Sequence, residues 1–469
     1  MPVRSLTEAL PADWTRGEIS VLGLARSGRA AAELLRRAGG HVYASDAGTG
    51  DAVDHAERAL TPIGVAVQRG GHDLARIARS ALVVASPGIP PEAPPLAAAR
   101  EAGVPIVGEL EVALHFLPHQ RYVAVTGTNG KTTTTAITHR LLEGLGYDAV
   151  AAGNIGTPLA EVALRDRSPD WIALETSSFQ LHDTPSIAPT AGVLTNLSAN
   201  HLDRYSSVDQ YFADKAELFR NATEQSVWVS NADDDAVQAM VAGVPGRHLR
   251  FTISAGAADG HFDRARNQLV VLGEPLIDRG ALTLLGDHNV ANALAAALAV
   301  IGADETHAMP GARARIAQAL GAFRALEHRI EPAGCYGGVE WINDSKSTNV
   351  ASTLVALKGM QKPTVLLLGG RHKGEPYDSL TPELKRTVKL VIAYGEAAPL
   401  VEQDLKGAVA LERANGSFND VVARARAAAV AGDAVLLSPA CSSYDMFDNY
   451  EQRGHTFKQL AAGKGGANG

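Results

Sequence analysis

The chain has almost no cysteine: 469 residues hold only Cys335 and Cys441. Neither stands in a C-x-x-C, which excludes a metal knuckle and a disulfide framework and points to a reducing cytosol. A long apolar run is missing too. The opening "MPVRSLTEALPADW" has no apolar core of the kind a signal peptide carries. The most apolar helical stretch, "NVANALAAALAVIGA" from Asn289 to Ala303, is too short and too alanine-rich to cross a bilayer comfortably. No membrane insertion and a cytoplasmic location are therefore expected. Basic excess is also absent. A net charge of -8 argues against a nucleic-acid partner. What remains is a globular balance, 46% hydrophobic and 20% charged, able to build sizeable cores. At about 150 residues per domain, the length implies about three domains.

Short apolar runs alternate with helical patterns along the whole chain, which predicts parallel sheets with helices on their faces. "EISVLGL" reads as a strand, "SGRAAAELLRRAG" as a helix ending on glycine, and "HVYASD" as the next strand. "ALVVASPGIP" and "VPIVGE" add two more, and this first domain is placed at 1–117. A second, 118–324, carries "DWIALETSSFQL", "TAGVLTNLSANHLD" and "SVWVSN" and closes with the alanine-rich helix after His288. A third, 325–469, has the strands "VEWINDS", "TVLLLGG", "LVIAYG" and "AVLLSP", each running into a polar or glycine turn where open α/β sheets take ligands. No internal repeat is visible, and the tail "AAGKGGANG" is expected to fray.

"YVAVTGTNGKTTTTAITHRLLEGLG", Tyr122 to Gly146, has strand, turn and helix in the order of a phosphate loop. Its first glycine is absent, since Val125 stands five residues before Gly130. Backbone N–H groups from Thr128 to Lys131 are expected to cradle phosphate oxygens at the helix N-terminus. The Lys131 ammonium would reach the β- and γ-phosphates, and the Thr132 hydroxyl would ligate magnesium. A plain strand-to-helix turn with an incidental lysine is the alternative. Glu175, at the end of the apolar strand in "ALETSSFQL", suits a magnesium ligand or a solvent-facing strand end. In "TNLSANHLDRYSSVDQYFADKAELF", His201 follows another strand, and Lys215 is read as beginning a helical stretch that ends in an apolar pair. Taken singly, that lysine fits a solvated helix face as well as a site. "NDSKSTN", "GGRHKG" and "SPACSSYDMFDNYEQRG" follow strands of the third domain and suit hydroxyls, phosphates or a carboxylate, or mere loop chemistry. "LGLARSG" departs from G-x-G-x-x-G at Ala25, while Asp46 ends the next strand, where an acid often holds ribose.

Together these segments resemble the Mur ligase family, whose loop reads T-G-T-N-G-K-[ST] without an early glycine. "TGTNGKTT" is such a loop. The resemblance runs in order through "GNIGTP", "ETSSFQL", "NLSANHLDRY", "DKAELF", "GDHNVANALAA", "EHR", "NDSKSTN", "LLLGGRHKG" and "SPACSS", nearly the whole chain. It implies an α/β fold of three domains: a Rossmann-like UDP-binding domain, a central P-loop-type ATPase domain and a Rossmann-like C-terminal domain. It implies an ATP-dependent ligase that joins D-glutamate to UDP-N-acetylmuramoyl-L-alanine through an acyl phosphate, in peptidoglycan precursor synthesis. A sibling adding another amino acid, or L-glutamate, is the alternative. A monomer is expected.

Carried over by motif, ATP would meet Gly127, Thr128, Asn129, Gly130, Lys131, Thr132 and Thr133, with Asn289 at adenine, Asp344 at ribose and Arg329 at the γ-phosphate. Thr132 and Glu175 would hold one Mg²⁺. His201 and Lys215 would serve a second, with Lys215 converted by CO₂ to a carbamate. Ser27, Asp46, Ser86 and Gly88 would line the uridine end. Asn154, Ser177 and Gln180 would face the muramoyl-alanine. Lys346, Thr348, Lys373, Ser443 and Tyr450 would surround glutamate. The sequence departs from the family at Tyr444 and Tyr450, where leucine and phenylalanine are usual, and carries extra positive charge at Arg371.

Overall fold

The computed structural model describes residues 9–200, 204–254, 256, 258–284, 286–324 and 326–463. The apolar runs assemble into three sheets. Strands β1 (Ile19–Leu22), β2 (Val42–Asp46), β3 (Ala66–Arg69), β4 (Leu82–Ala85) and β5 (Ile106–Gly108) form the first, in the order β3-β2-β1-β4-β5. All its pairings are parallel. β1 and β4 are buried at every position, as central strands covered on both faces must be. Strand order reverses at β1 and β4, the place where such sheets open a crevice for ligands. The helix Arg26–Arg37 starts hard against β1. A Cβ on Gly28 would stand 1.8 Å from the Gly23 carbonyl oxygen, so only glycine fits there.

The second sheet has nine strands: β6 (Tyr122–Thr126), β7 (Ala149–Gly153), β8 (Trp171–Glu175), β9 (Ala191–Leu194), β10 (Val227–Asn231), β11 (Arg247–Thr252), β12 (Gly260–Asp263), β13 (Gln268–Val271) and β14 (Glu274–Asp278). Their order is β14-β13-β12-β11-β10-β9-β6-β8-β7. The expected parallel pairing holds from β7 across to β12, and the correction is confined to the edge, where β13 pairs antiparallel with β12 and β14. The links are too short for crossover helices. Leu272 and Gly273, at φ 53° and 80°, turn the second hairpin in two residues.

The third sheet joins β15 (Glu331–Tyr336), β16 (Val339–Asn343), β17 (Thr364–Gly369), β18 (Val388–Tyr394), β19 (Leu411–Arg413) and β20 (Ala434–Leu437) in the order β15-β16-β20-β17-β18-β19. β15 is antiparallel to β16 through a turn at Gly337–Gly338, and the other pairings are parallel. Among the described residues, no helix is long and apolar enough to cross a membrane.

The first two sheets lie in one compact unit, and the third lies in another together with Arg279–Ala291. Within the first unit, Leu110, Val112 and Ala113 of the helix Glu109–His115 share a core with Leu159, Ala160 and Val162 of the helix Leu159–Ala163. Glu109 Oε1 accepts the Ala160 N–H at 2.5 Å, and burial pushes this carboxyl up to about 7. Arg26 donates to both oxygens of Glu161 at 3.1 and 2.8 Å and to the Gly156 carbonyl at 3.0 Å.

A second correction concerns Lys215. It does not begin a helical stretch but stands next to last in the helix Val208–Ala216, followed by a short turn at Glu217–Phe219. The start is set upstream by Ser207, whose hydroxyl accepts the Gln210 N–H at 3.1 Å. The residues after Gly463, expected to fray, lie outside the described residues.

Candidate active site

The phosphate loop leaves β6 at Gly127 and enters the helix Lys131–Gly144 at Gly130. Both glycines have positive φ, 137° and 81°. Added Cβ atoms would stand 2.0 Å from Thr195 Oγ1 and 2.5 Å from Asn292 Oδ1. The segment after β9 grips the loop from beside it. Thr195 Oγ1 and Asn196 Nδ2 donate to the Asn129 carbonyl at 2.6 and 2.9 Å. The Thr128 N–H donates to the Asn196 carbonyl at 2.9 Å, and the Asn129 N–H donates to Asn196 Oδ1 at 2.8 Å. This corrects the expectation that N–H groups from Thr128 onward cradle phosphate, because the first two already have partners inside the protein.

Two lysines converge on one carbonyl. Lys131 Nζ donates to the Gly127 and Thr128 carbonyls at 3.0 and 2.8 Å. Lys215 Nζ donates to the same Gly127 carbonyl at 2.8 Å and lies 4.7 Å from the Tyr211 ring centroid. Lys215 is 1% exposed. Burial, reinforced by the Lys131 charge, holds its amine well below the usual lysine range, against the opposing pull of Glu175 and Asp214. Asp214 accepts from Tyr205 Oη at 2.8 Å and pairs with His182 Nδ1 at 2.9 Å, which fixes the helix carrying Lys215.

Glu175 ends β8 beside Val125 of β6 and is 1% exposed. Its Oε1 accepts from Asn154 Nδ2 at 2.7 Å. Its Oε2 is buried and has no hydrogen-bond partner among the described residues. A buried carboxylate oxygen left unsatisfied is costly unless a cation completes it. An oxygen donor of this kind fits Mg²⁺, and the buried Thr132 hydroxyl in the first turn of the helix after the loop is a second such donor. A buried amine whose hold on its proton is weakened likewise fits reaction with CO₂. His201 lies outside the described residues.

At the carboxyl ends of β1, β2 and β4, Ser27, Asp46, Ser86 and Gly88 come to one edge of the first sheet. Asp46 is already engaged, accepting the Leu24 and Gly48 N–H groups at 2.6 and 2.7 Å. Ser86 Oγ donates to the Gly23 carbonyl at 3.2 Å. Ser177 and Gln180 form a reciprocal capping box on the helix Ser178–His182. A cavity of about 390 Å³ lies behind the 86–89 loop, with Phe179, Arg204 and Asp214 in its wall. Arg204 stacks 4.3 Å over Phe179 and donates to the Ile89 carbonyl at 2.9 Å.

In the second compact unit, Asp344 is buried under four residues' bonds. Its Oδ2 accepts from Ser347 Oγ and Ser438 Oγ at 2.5 and 2.7 Å, and its Oδ1 accepts the Ile330 N–H at 3.2 Å, while Leu437 accepts its own N–H. Burial pushes its carboxyl up to about 6. Arg329 sits between two residues in left-handed backbone, His328 at φ 64° and Ile330 at 46°. Lys346 Nζ lies 5.0 Å from the Tyr450 ring centroid, and Lys373 Nζ donates to Thr348 Oγ1 at 3.2 Å. Ser443 is buried in the loop after β20. Asn289, in the same unit, is buried near the start of the helix Asp287–Ala303. Arg371 is exposed, and at the surface it donates to both oxygens of Glu396 at 3.1 Å.

Sequence reasoning missed Arg453. It is fully buried and ties two loops together, donating to Ser345 Oγ at 3.0 Å and to the carbonyls of Ser345 and Cys441 at 2.8 and 3.1 Å. It also missed Asn196 as the anchor of the phosphate loop and Asn292 beneath Gly130. Asn196 stood in the quoted "TNLS", but nothing in that string distinguishes an anchor from a ligand.

A phosphate loop with a buried acid at the neighbouring strand end and two facing lysines defines an ATP-dependent enzyme. Three family models cover most of the chain: "Mur ligase MurD-like, N-terminal domain" over residues 17–108, "Mur ligase middle domain" over 125–300, and "Mur ligase, glutamate ligase domain" over 328–441. The UDP-N-acetylmuramoylalanine--D-glutamate ligase of Acidobacterium capsulatum is 39% identical over 96% of this chain and 97% of its own. The protein of the same name from Anaeromyxobacter dehalogenans is 40% identical over 94% and 97%. The chain belongs to the Mur ligase family and is an ATP-dependent ligase. The fold agrees: UDP-N-acetylmuramate-alanine ligase MurC from Thermotoga maritima superimposes with a TM-score of 0.60 at 18% identity, covering 96% of this chain and 100% of that one. A pseudomurein peptide ligase type C from Methanothermus fervidus gives 0.58 at 18%, covering 96% and 99%.

Proposed function

We propose that this chain joins D-glutamate to UDP-N-acetylmuramoyl-L-alanine using ATP, as a cytoplasmic monomer, in the building of peptidoglycan precursors. The observation that carries the reading is the convergence of Lys131, Lys215 and the half-satisfied Glu175 at the adjoining ends of β6 and β8. Relatives of that name align over nearly their full length. We assign the nucleotide-sugar to domain 1–117, ATP to 118–324 and the amino acid to 325–469.

The difficulty of the reaction is bringing two anions together, a carboxylate and a triphosphate. Lys131 leaves its own loop carbonyls for the β- and γ-phosphates. Gly127, Asn129, Gly130, Thr132 and Thr133 shape the pocket around them, with Asn289 at adenine, Asp344 at ribose and Arg329 at the γ-phosphate. Asn154 orients Glu175. The alanyl carboxylate attacks the γ-phosphorus and ADP departs. The amine of D-glutamate then attacks the acyl carbon, and the carbon–oxygen bond to phosphate breaks. Ser27, Asp46, Ser86 and Gly88 hold the uridine end, and Ser177 and Gln180 shape the muramoyl end. Lys346, Thr348, Lys373, Ser443 and Tyr450 receive glutamate.

Thr132 and Glu175 would hold one Mg²⁺, His201 and Lys215 would serve a second, and such ions when bound would neutralise charge on the phosphates. Lys215 joins that set as a carbamate. Its neutral amine would form a C–N bond to CO₂ and release one proton, so a neutral group becomes an anion.

The test is phosphate release with ATP, Mg²⁺ and UDP-N-acetylmuramoyl-L-alanine against D-glutamate, L-glutamate, L-alanine, lysine and diaminopimelate. Release with D-glutamate alone is expected. Release with another amino acid would move the chain to a sibling reaction, and silence across the panel would end the proposal.

A further inference from the structure

The segment after β17 carries three basic side chains in a row, Arg371, His372 and Lys373. Arg371 is committed to Glu396, and Lys373 reaches Thr348. His372 is held from behind. Its Nδ1 lies 3.0 Å from Tyr377 Oη, and Tyr377 Oη lies 2.9 Å from Cys441 Sγ. Tyr377 and Cys441 are fully buried. The other ring nitrogen, Nε2, has no hydrogen bond among the described residues. The backbone carries a second tie between the same loops. Arg371 N–H donates to the Ser442 carbonyl at 2.9 Å, and Ser442 N–H donates to the Arg371 carbonyl at 3.1 Å. Ser443 is the next residue.

The direction of the relay follows from chemistry. Burial pushes the Cys441 thiol up to about 11 and the Tyr377 phenol higher still, so both keep their protons. A phenol is the stronger donor of the two, and an imidazole nitrogen is a stronger acceptor than sulfur. The Cys441 S–H therefore donates to Tyr377 Oη, and the Tyr377 O–H donates to His372 Nδ1. The ring hydrogen is left on Nε2, the atom without a partner.

We propose that His372 is a specificity residue for the incoming amino acid, its Nε2–H donating to a substrate carboxylate beside Lys373 while Tyr377 and Cys441 fix the tautomer. This rests on the reading that the chain takes D-glutamate. Lysine offers a point charge without direction, whereas the locked ring adds a directed donor, which favours a carboxylate over the isosteric amide of D-glutamine.

Steady-state kinetics on the whole enzyme test this with His372→Leu, His372→Gln and Tyr377→Phe. His372→Leu should raise KM for D-glutamate about tenfold, the worth of one hydrogen bond to a charged group. Its kcat, its KM for ATP and its Tm should stay near wild type. His372→Gln, which restores an N–H, should recover most of the loss. Tyr377→Phe should fall between the two. Proton–nitrogen NMR of the wild type should show the Nε2–H form. An unmoved KM in His372→Leu, a loss confined to kcat and Tm, or an Nδ1–H ring would each overturn the inference. A wild type indifferent to D-glutamate would instead overturn the functional reading itself.

Discussion

Lys215 cannot remain a cation and serve magnesium, because a sealed ammonium beside Lys131 would repel a divalent ion. The buried amine resolves this if it reacts with CO₂. Lys215→Ala is expected to lower kcat by about a hundredfold, as removal of a charge-stabilising group does. Added bicarbonate should not restore it, and full activity in that variant would end the carbamate argument. At this scale the sequence was legible by residue type and strand-end position. Glu175 does end its strand in a buried position, and Lys131 does follow the glycine turn at the helix start. The burial of Lys215, which gives it chemistry, is set by Tyr211, Gly127 and Asp214 around it. No local string reveals that enclosure.

Among elements, the phosphate loop depends on backbone that only glycine supplies. Gly127→Ala would force a Cβ to 2.0 Å from Thr195 Oγ1 at a φ of 137°. A loss of about 2–3 kcal/mol in stability is expected, with ATP binding abolished. Thermal unfolding and calorimetric titration check both, and a variant binding ATP normally would show that the loop relaxes. Parallel strands announced themselves as apolar runs bounded by turns. The hairpins at the sheet edges did not. β13 and β14 are short and joined by Leu272–Gly273, a pair without the usual asparagine signal. The helix carrying Lys215 was read from the wrong end because its start lies in a polar stretch that Ser207 caps.

In the molecule as a whole, the joint between the first two sheets holds a titrating acid. Glu109 has a folded value of about 7 against an ordinary 4.5. The folded chain thus keeps a proton that the unfolded chain releases between those values. Its stabilising contribution is complete below about 4.5 and is lost as pH rises through about 7, a decline of up to about 3 kcal/mol. Glu109→Gln keeps an acceptor for the Ala160 N–H and removes the titration. Its Tm should exceed that of wild type by a margin that grows from pH 5 to pH 8. A constant margin in thermal melts would show that the acid does not titrate in this window.

The two lysines that share the Gly127 carbonyl give the enzyme a history. With Lys131 at home, its charge discourages protonation of Lys215 and leaves that amine receptive to CO₂. Burial, the larger cause, remains when Lys131 swings to a nucleotide's phosphates, so only the smaller, electrostatic part of the effect is then lost. A carbamate on Lys215, as proposed above, would on this ground form more readily in the empty enzyme than after its first nucleotide arrives. Protein prepared free of CO₂ and mixed at once with ATP and both substrates should begin slowly, with a lag that prior incubation in bicarbonate removes and prior incubation in ATP prolongs. Progress curves would record the order of events directly.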